Sequence, residues 1–332
     1  MASAKIQKTI ARQEEKIKEG QYYEAHQQLR VIGSRYVKSS QWDAAIDILS
    51  SGAALLLKAG QGGSGGDLAV FLLEVYNKAE IKPDAASKAR IFSLLRLFAP
   101  GEPTRKKVIA ESIGWSARCG EYPAGDPELH HVIGSIYAEE DEPIEAERHL
   151  ILGTKDSPSV LVKVEYAWYS EDEPSTAPIY AARGILPYLL IGNVRAANQF
   201  HLLFTSQLSS SNAALSTQDV SSNSSDLRVY PSLPLLNFLG LLLLAVQRGA
   251  PELFRMLKSQ YKGHLADIGG VWDQALDQIG EMYFGVKIPT QGNPLFDMMG
   301  SLFMGGGGGG AGGAKKQPKR VGASTPSTPG LD

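Results

Sequence analysis

Gly62-Gly63-Ser64-Gly65-Gly66 satisfies the G-x-S-x-G spacing of a nucleophile elbow. An elbow needs a strand before its serine and a helix after it, so that the hydroxyl is held up on a strained turn. Here the preceding residues, Ala53 to Ala59, are A-A-L-L-L-K-A, which reads as helix. The match is an accident of a glycine run. A phosphate cradle fails for another reason. It needs Lys and then Ser or Thr after its last glycine, and Asp67 stands there instead, where it would repel a phosphate. The histidines His26, His130, His131, His149, His201 and His264 form no His-x-x-x-His pair and keep no ligand spacing to the single cysteine, Cys119. His26, on one helix with Tyr22 and Arg30, reads as surface or rim. Cys119 reads as a small packing residue and the acids Glu139 to Glu142 as a solvated turn. No metal or cofactor is expected, and nothing supports catalysis. The chain reads as a binding protein.

Two acids rise above this background. Asp67 and Glu74 are seven residues apart, about 10.5 Å along a helix, so they point the same way. Asp67 also suits the positive start of a helix that follows a glycine loop. Glu74 interrupts the apolar stretch L-A-V-F-L-L-E-V-Y. Either it belongs to a solvent-facing stripe or it forms a docking face for a basic patch.

The elements that must carry these residues are helices. Apolar or small residues recur at Tyr22, Ala25, Leu29, Ile32, Gly33 and Tyr36, and again at Trp42, Ala45, Ile46, Leu49 and Ala53. Strand-type alternation is nearly absent. Short breaks fall at Glu19-Gly20, Ser39-Ser40-Gln41, Lys82-Pro83-Asp84, Ala99 to Pro103 and Gly120 to Pro127. Val31-Ile-Gly-Ser-Arg-Tyr36 and Val132-Ile-Gly-Ser-Ile-Tyr137 lie 101 residues apart, close to three periods of about 34 residues. Ala45 or Ala146, Leu49 or Leu150, and Gly52 or Gly153 follow at equal offsets. Small residues there let two antiparallel helices approach, and the large ones fill the gap. The expected fold is all-α, an irregular α-solenoid of tetratricopeptide-like helical pairs. Residues 157–169, 176–206, 233–248, 251–262 and 264–285 read as further helices. The Ser-rich stretch 207–229 reads as a mobile excursion, with Leu215, Val220, Leu227, Val229 and Tyr230 pairing as a small β-hairpin near 207–230. From Gly305 a glycine-rich, basic tail with Lys315, Lys316, Lys319 and Arg320 reads as a disordered terminus.

Composition sets the outer limits. A net charge of −2 over 332 residues does not suit nucleic acid. One cysteine cannot form an internal disulfide, so a reducing compartment is expected. The N-terminus lacks the apolar stretch of a signal peptide. The longest apolar run, 233–246, is interrupted by Pro234, Asn237 and Gly240 and is shorter than the roughly 20 residues that span a bilayer. It reads as a buried helix, and Asn223 is then a sequon without meaning. That helix is apolar nearly all round and needs cover on every side. Near the end of a solenoid one side lacks a repeat, so a second chain is expected there.

The same residues carry a likeness. Gly20-Gln-Tyr-Tyr-Glu-Ala-His-Gln27, Lys58-Ala-Gly-Gln-Gly-Gly-Ser-Gly-Gly-Asp-Leu68 and Phe71-Leu-Leu-Glu-Val-Tyr76 resemble signatures of the Golgi to ER traffic protein 4 family, fungal type. Gly125-Asp-Pro-Glu-Leu-His130, Glu145-Ala-Glu-Arg148 and Pro294-Leu-Phe-Asp-Met-Met-Gly300 extend the likeness to about residue 303. The resemblance implies a cytosolic, non-enzymatic adaptor for inserting tail-anchored proteins into the ER membrane, without itself entering the membrane. Residues 1–155 would dock on the targeting ATPase in its ATP-bound state. Residues 156–304 would grip the N-terminal segment of a ubiquitin-like-domain partner. That partner recruits a tetratricopeptide co-chaperone loaded with client. Residues 305–332 form the tail.

Carried over by position, the ATPase face falls on Asp67 and Glu74, with anchoring contacts at Tyr22 and Lys38 and Arg35 nearby. The family often has Arg where Lys38 sits, and Lys cannot make a bidentate pair. The partner groove falls on Tyr230, Leu235, Phe238, Leu239 and Leu242. A rival reading is a chaperone that holds apolar client segments directly, through the 233–246 run and the cluster Phe296, Met298, Met299, Leu302, Phe303 and Met304.

Overall fold

The computed structural model describes residues 2–286, apart from 213, 214, 216, 223 and 224. The 294–304 apolar cluster and the basic tail therefore lie outside the described residues. The elements are helices with one strand pair. In order they are α1 (Ala2–Lys18), α2 (Tyr22–Lys38), α3 (Trp42–Lys58), α4 (Gly62–Lys78), α5 (Ala85–Leu95), α6 (Pro103–Cys119), α7 (Pro127–Glu139) and α8 (Pro143–Leu150). Then come α9 (Ser157–Tyr169), α10 (Ala177–Leu190), α11 (Val194–Ser211), β1 (Gln218–Ser222), β2 (Ser225–Val229), α12 (Pro234–Arg248), α13 (Pro251–Gln260), α14 (Lys262–Asp267) and α15 (Asp273–Phe284). Among the described residues no helix is long and apolar enough to cross a membrane.

The all-α helical repeat expected from the periodicity is what forms. The first four helices have 17 residues each. Gly20, Ser40, Gly60 and Glu80 all turn with positive φ, at 79°, 54°, 74° and 51°. The next residue in each turn donates its N–H to the carbonyl five back, as Gln41 does to Tyr36 at 2.9 Å. This is the Schellman closure, which satisfies orphan carbonyls at a helix end. A 20-residue period therefore runs through the first eighty residues. Residue type keeps it too: Lys18, Lys38, Lys58 and Lys78 each end a helix, and Gln21, Gln41 and Gln61 follow three residues on, beside the longer 101-residue echo.

That echo is physical. A Cβ on Gly33 would stand 2.8 Å from Leu49 Cδ2, and one on Gly134 would stand 2.7 Å from Leu150 Cγ. In both copies the missing methyl admits the leucine of the next helix. α2 packs on α3, α3 on α4, α4 on α6, and the second copy pairs α7 with α8.

Three readings change. Residues 176–206 are broken at Gly192 (φ 81°), after which the Asn193 side chain caps α11 by accepting from Ala196 N at 3.0 Å. Residues 264–285 are broken at Gly269 and Gly270, both left-handed. The glycines 62–66 are no loop but the first turns of α4. The hairpin does form, antiparallel, with Val220 opposite Leu227 and Gln218 opposite Val229. Leu215 and Tyr230 lie outside its strands.

Candidate functional site

The glycine run positions Asp67. A Cβ on Gly65 would stand 2.6 Å from Leu57 Cγ and 3.1 Å from the Ala53 carbonyl, and one on Gly66 would stand 2.5 Å from Thr104 Oγ1. The start of α4 is thus clamped between α3 and α6. Gly63 faces open space. Two substitutions separate packing from propensity. Gly65→Ala is expected to cost about 1–3 kcal/mol through overpacking. Gly63→Ala is expected to gain roughly 0.5–1 kcal/mol from helix propensity. Denaturant midpoints of the two variants check this.

Asp67 sits in the second turn of α4, so it does not cap the helix start. Its Oδ2 accepts from His26 Nε2 at 2.8 Å and is also in contact with Arg30 Nη1. Both donors stand on α2, where Tyr22, His26 and Arg30 are spaced by four. Arg30 also lies over the Phe71 ring, 5.6 Å from its centre. Burial alone would raise the Asp67 pKa. The hydrogen bonds and charges of His26 and Arg30 outweigh it and hold the carboxyl below its ordinary value. The Asp67 side chain remains 41% exposed. Glu74, two turns on, is exposed and makes no salt bridge among the described residues. The α4 acids thus form a half-open face backed by one arginine.

Of the aromatic pair, Tyr22 packs partly against the core while Tyr23 is 75% exposed. Arg35 and Lys38 are exposed near the far end of α2. The role of His26 and Arg30 in holding Asp67 is not visible from spacing, since they lie 41 and 37 residues away. Their i, i+4 placement below Tyr22 is the available signal.

At the other end, Tyr230, Leu235, Phe238, Leu239 and Leu242 are buried in the chain as folded, none more than 9% exposed. Phe238 packs against Tyr261, tilted, and Trp272, stacked, with ring centres 5.4 and 6.4 Å away. α10, α11, α13, α14 and β2 contact α12. Asn237, which interrupts the apolar run, is satisfied: it accepts from Tyr230 N and donates to Tyr230 O, each at 2.8 Å. The 233–246 run therefore turns most of its large side chains into the core, with Leu241 and Leu244 left half-buried.

An open groove of about 460 Å³ does run beside this helix, between α11 and α12. Leu202, Leu236 and Leu244 give it apolar walls, and Asn198 and Gln247 bond across one end at 3.0 Å. His201 faces Gly240, and the packing around its ring lowers its pKa to about 4, so it stays neutral. Leu202 is 45% exposed. Among the described residues no group of His, Cys, Asp and Glu is arranged to hold a metal ion.

These two surfaces sit on a chain with close relatives. A family model described as Golgi to ER traffic protein 4 matches residues 39–303. The Golgi to ER traffic protein 4 of Aspergillus fumigatus is 56% identical over 317 residues, covering 92% of this chain and 91% of that one. That of Schizosaccharomyces pombe is 34% identical over 297 residues, covering 89% and 95%. The crystal structure of C. therm. Get4 superposes with a TM-score of 0.84 at 54% identity, over 91% of this chain and 96% of that one. These relatives are named as traffic proteins and not as enzymes. With the family model spanning most of its length, the chain belongs to the Golgi to ER traffic protein 4 family, a family of ER-traffic proteins.

Proposed function

We propose that this chain is a cytosolic, non-enzymatic adaptor in the delivery of tail-anchored proteins to the ER membrane. Residues 1–155 dock on the targeting ATPase. Residues 156–304 hold a ubiquitin-like-domain partner, and through it a tetratricopeptide co-chaperone. The observation that carries this reading is the α4 acidic face, where Asp67 is half-open and Glu74 is exposed without a salt bridge among the described residues. Such a face suits a basic surface, where charge sets the rate of encounter more than the final affinity. Tyr22, Arg35 and Lys38 on α2 provide anchoring beside it. The α11–α12 groove, and not the buried side chains beneath it, is the surface that supports partner binding at the other end.

The test uses the full chain and the targeting ATPase. Asp67→Lys with Glu74→Lys is expected to slow association at low salt and to abolish its salt dependence. Each exposed pair contributes about 0.2–1 kcal/mol, so the affinity loss is modest. ATP turnover by the bound ATPase is expected to change while Tyr22 and Lys38 retain binding. An on-rate unchanged at low salt refutes the assignment.

A further inference from the structure

A second open groove, of about 730 Å³, lies between α7 and α9. Its floor is a stripe of α9, Val160, Val164, Ala167 and Trp168, at the spacing of one helix face, with Ala138 and Pro143 on the opposite side. All six are at least partly exposed. Its rim is acidic: Glu139 ends α7, Asp141 and Glu142 follow in the α7–α8 turn and Glu171 follows α9, against a single base, Lys163. Neighbouring acids are neutralised internally. Glu140 is paired with Arg105, Glu145 with Arg148 and Glu147 with Arg183. The four rim acids make no salt bridge among the described residues. Asp141 turns in the left-handed region, at φ 58°, and both it and Glu142 line the groove.

An apolar trough with an uncompensated acidic rim has a definite complement. We propose that this groove docks a basic amphipathic helix from another protein, its apolar face on the α9 stripe and its Lys or Arg residues against the rim. Helix-in-groove binding takes its affinity from apolar anchors spaced three and four apart. The rim charges supply orientation and reject acidic helices. The surface shares no residue with the α4 face or with the α11–α12 groove, so it serves a further partner.

The full-length chain is tested with a synthetic Leu/Lys peptide whose leucines recur at i, i+3, i+4 and i+7. Binding is expected by titration calorimetry, with hydrogen-exchange protection confined to residues 135–143 and 160–171. Glu139→Lys with Glu142→Lys and Glu171→Lys is expected to weaken binding about tenfold at low salt. Ala167→Arg, on the exposed floor, is expected to weaken it as well. All four side chains are exposed, so thermal unfolding of the variants should match the parent. The same peptide with Glu in place of Lys should not bind. The proposal is overturned if the Leu/Lys peptide fails to bind, binds the reversed variant equally well, or protects residues elsewhere such as α4.

Discussion

Replacing Arg183 with leucine is expected to lower the thermal unfolding midpoint by roughly 10 °C at pH 8, and by less at pH 6. Arg183, on α10, serves two carboxylates at once, one half-buried and one fully buried. It contacts Glu147 of α8, and its Nε stands 3.1 Å from Glu165 Oε2 on α9. That N–H is not aligned for a hydrogen bond, and both Glu165 oxygens are buried without one. The guanidinium lies 4.5 Å from the centre of the Trp168 ring. Burial, helped by the Glu147 charge and opposed by Arg183, pushes the Glu165 pKa up to about 8. Burial also raises that of Glu147. An unfolded Glu releases its proton near its ordinary value of 4.5, whereas folded Glu165 keeps it until about 8. Stability linked to this group is therefore full below that ordinary value and is lost as pH rises through about 8. Without Arg183 the acids lose their compensation, which costs about 3–5 kcal/mol where the charge is retained. At pH 6 they keep protons instead, so the loss shrinks. Glu165→Gln carries no charge at any pH and is expected to flatten the slope between about pH 5 and pH 8. Denaturation of the parent and both variants across that range decides it. Equal losses at pH 6 and pH 8 for Arg183→Leu would exclude Glu165 as the titrating group.

The legible parts of this fold are those where a side chain's shape is decisive. Gly33 against Leu49, and Gly134 against Leu150, follow from offsets alone, because a missing methyl opposite a leucine has one good use. The glycines 62–66 mislead for the opposite reason. Glycine is a poor helix former by about 1 kcal/mol, so a run of it reads as loop. The clamp between α3 and α6 overrides that preference, and Asp67 moves from the expected helix start into the second turn. The break at Gly192 is hidden because apolar residues continue on both sides of it. For the candidate sites, spacing gives the common direction of Asp67 and Glu74 and the all-round apolar character of α12. It does not give Arg30 and His26 as partners of Asp67, which depends on how α2 lies against α4. Nor does it tell which side of α12 is covered. Tyr261 and Trp272, which follow α13 and α14, cover the Phe238 side, and the open wall lies with Leu202 and Leu244.

Phe238→Ala is therefore expected to destabilise the chain by about 3–5 kcal/mol, while Leu202→Asp changes stability by no more than about 0.5 kcal/mol. Phe238 is fully buried against Tyr261 and Trp272, so its removal leaves a cavity that packed neighbours only partly close. Leu202 is 45% exposed on the groove wall, where a carboxylate remains hydrated in the free chain. Under a docked apolar segment the same carboxylate loses water without gaining a partner, which is costly. The effects on binding are thus the reverse of those on stability. A ligand that binds the folded state stabilises it by mass action in proportion to its saturation. The N-terminal segment of the proposed ubiquitin-like-domain partner is expected to raise the unfolding midpoints of the parent and of Phe238→Ala by similar amounts. It should leave that of Leu202→Asp nearly unmoved. The opposite pattern, with Phe238→Ala stable alone but unresponsive to the segment, would place Phe238 in the groove and the α11–α12 wall outside it.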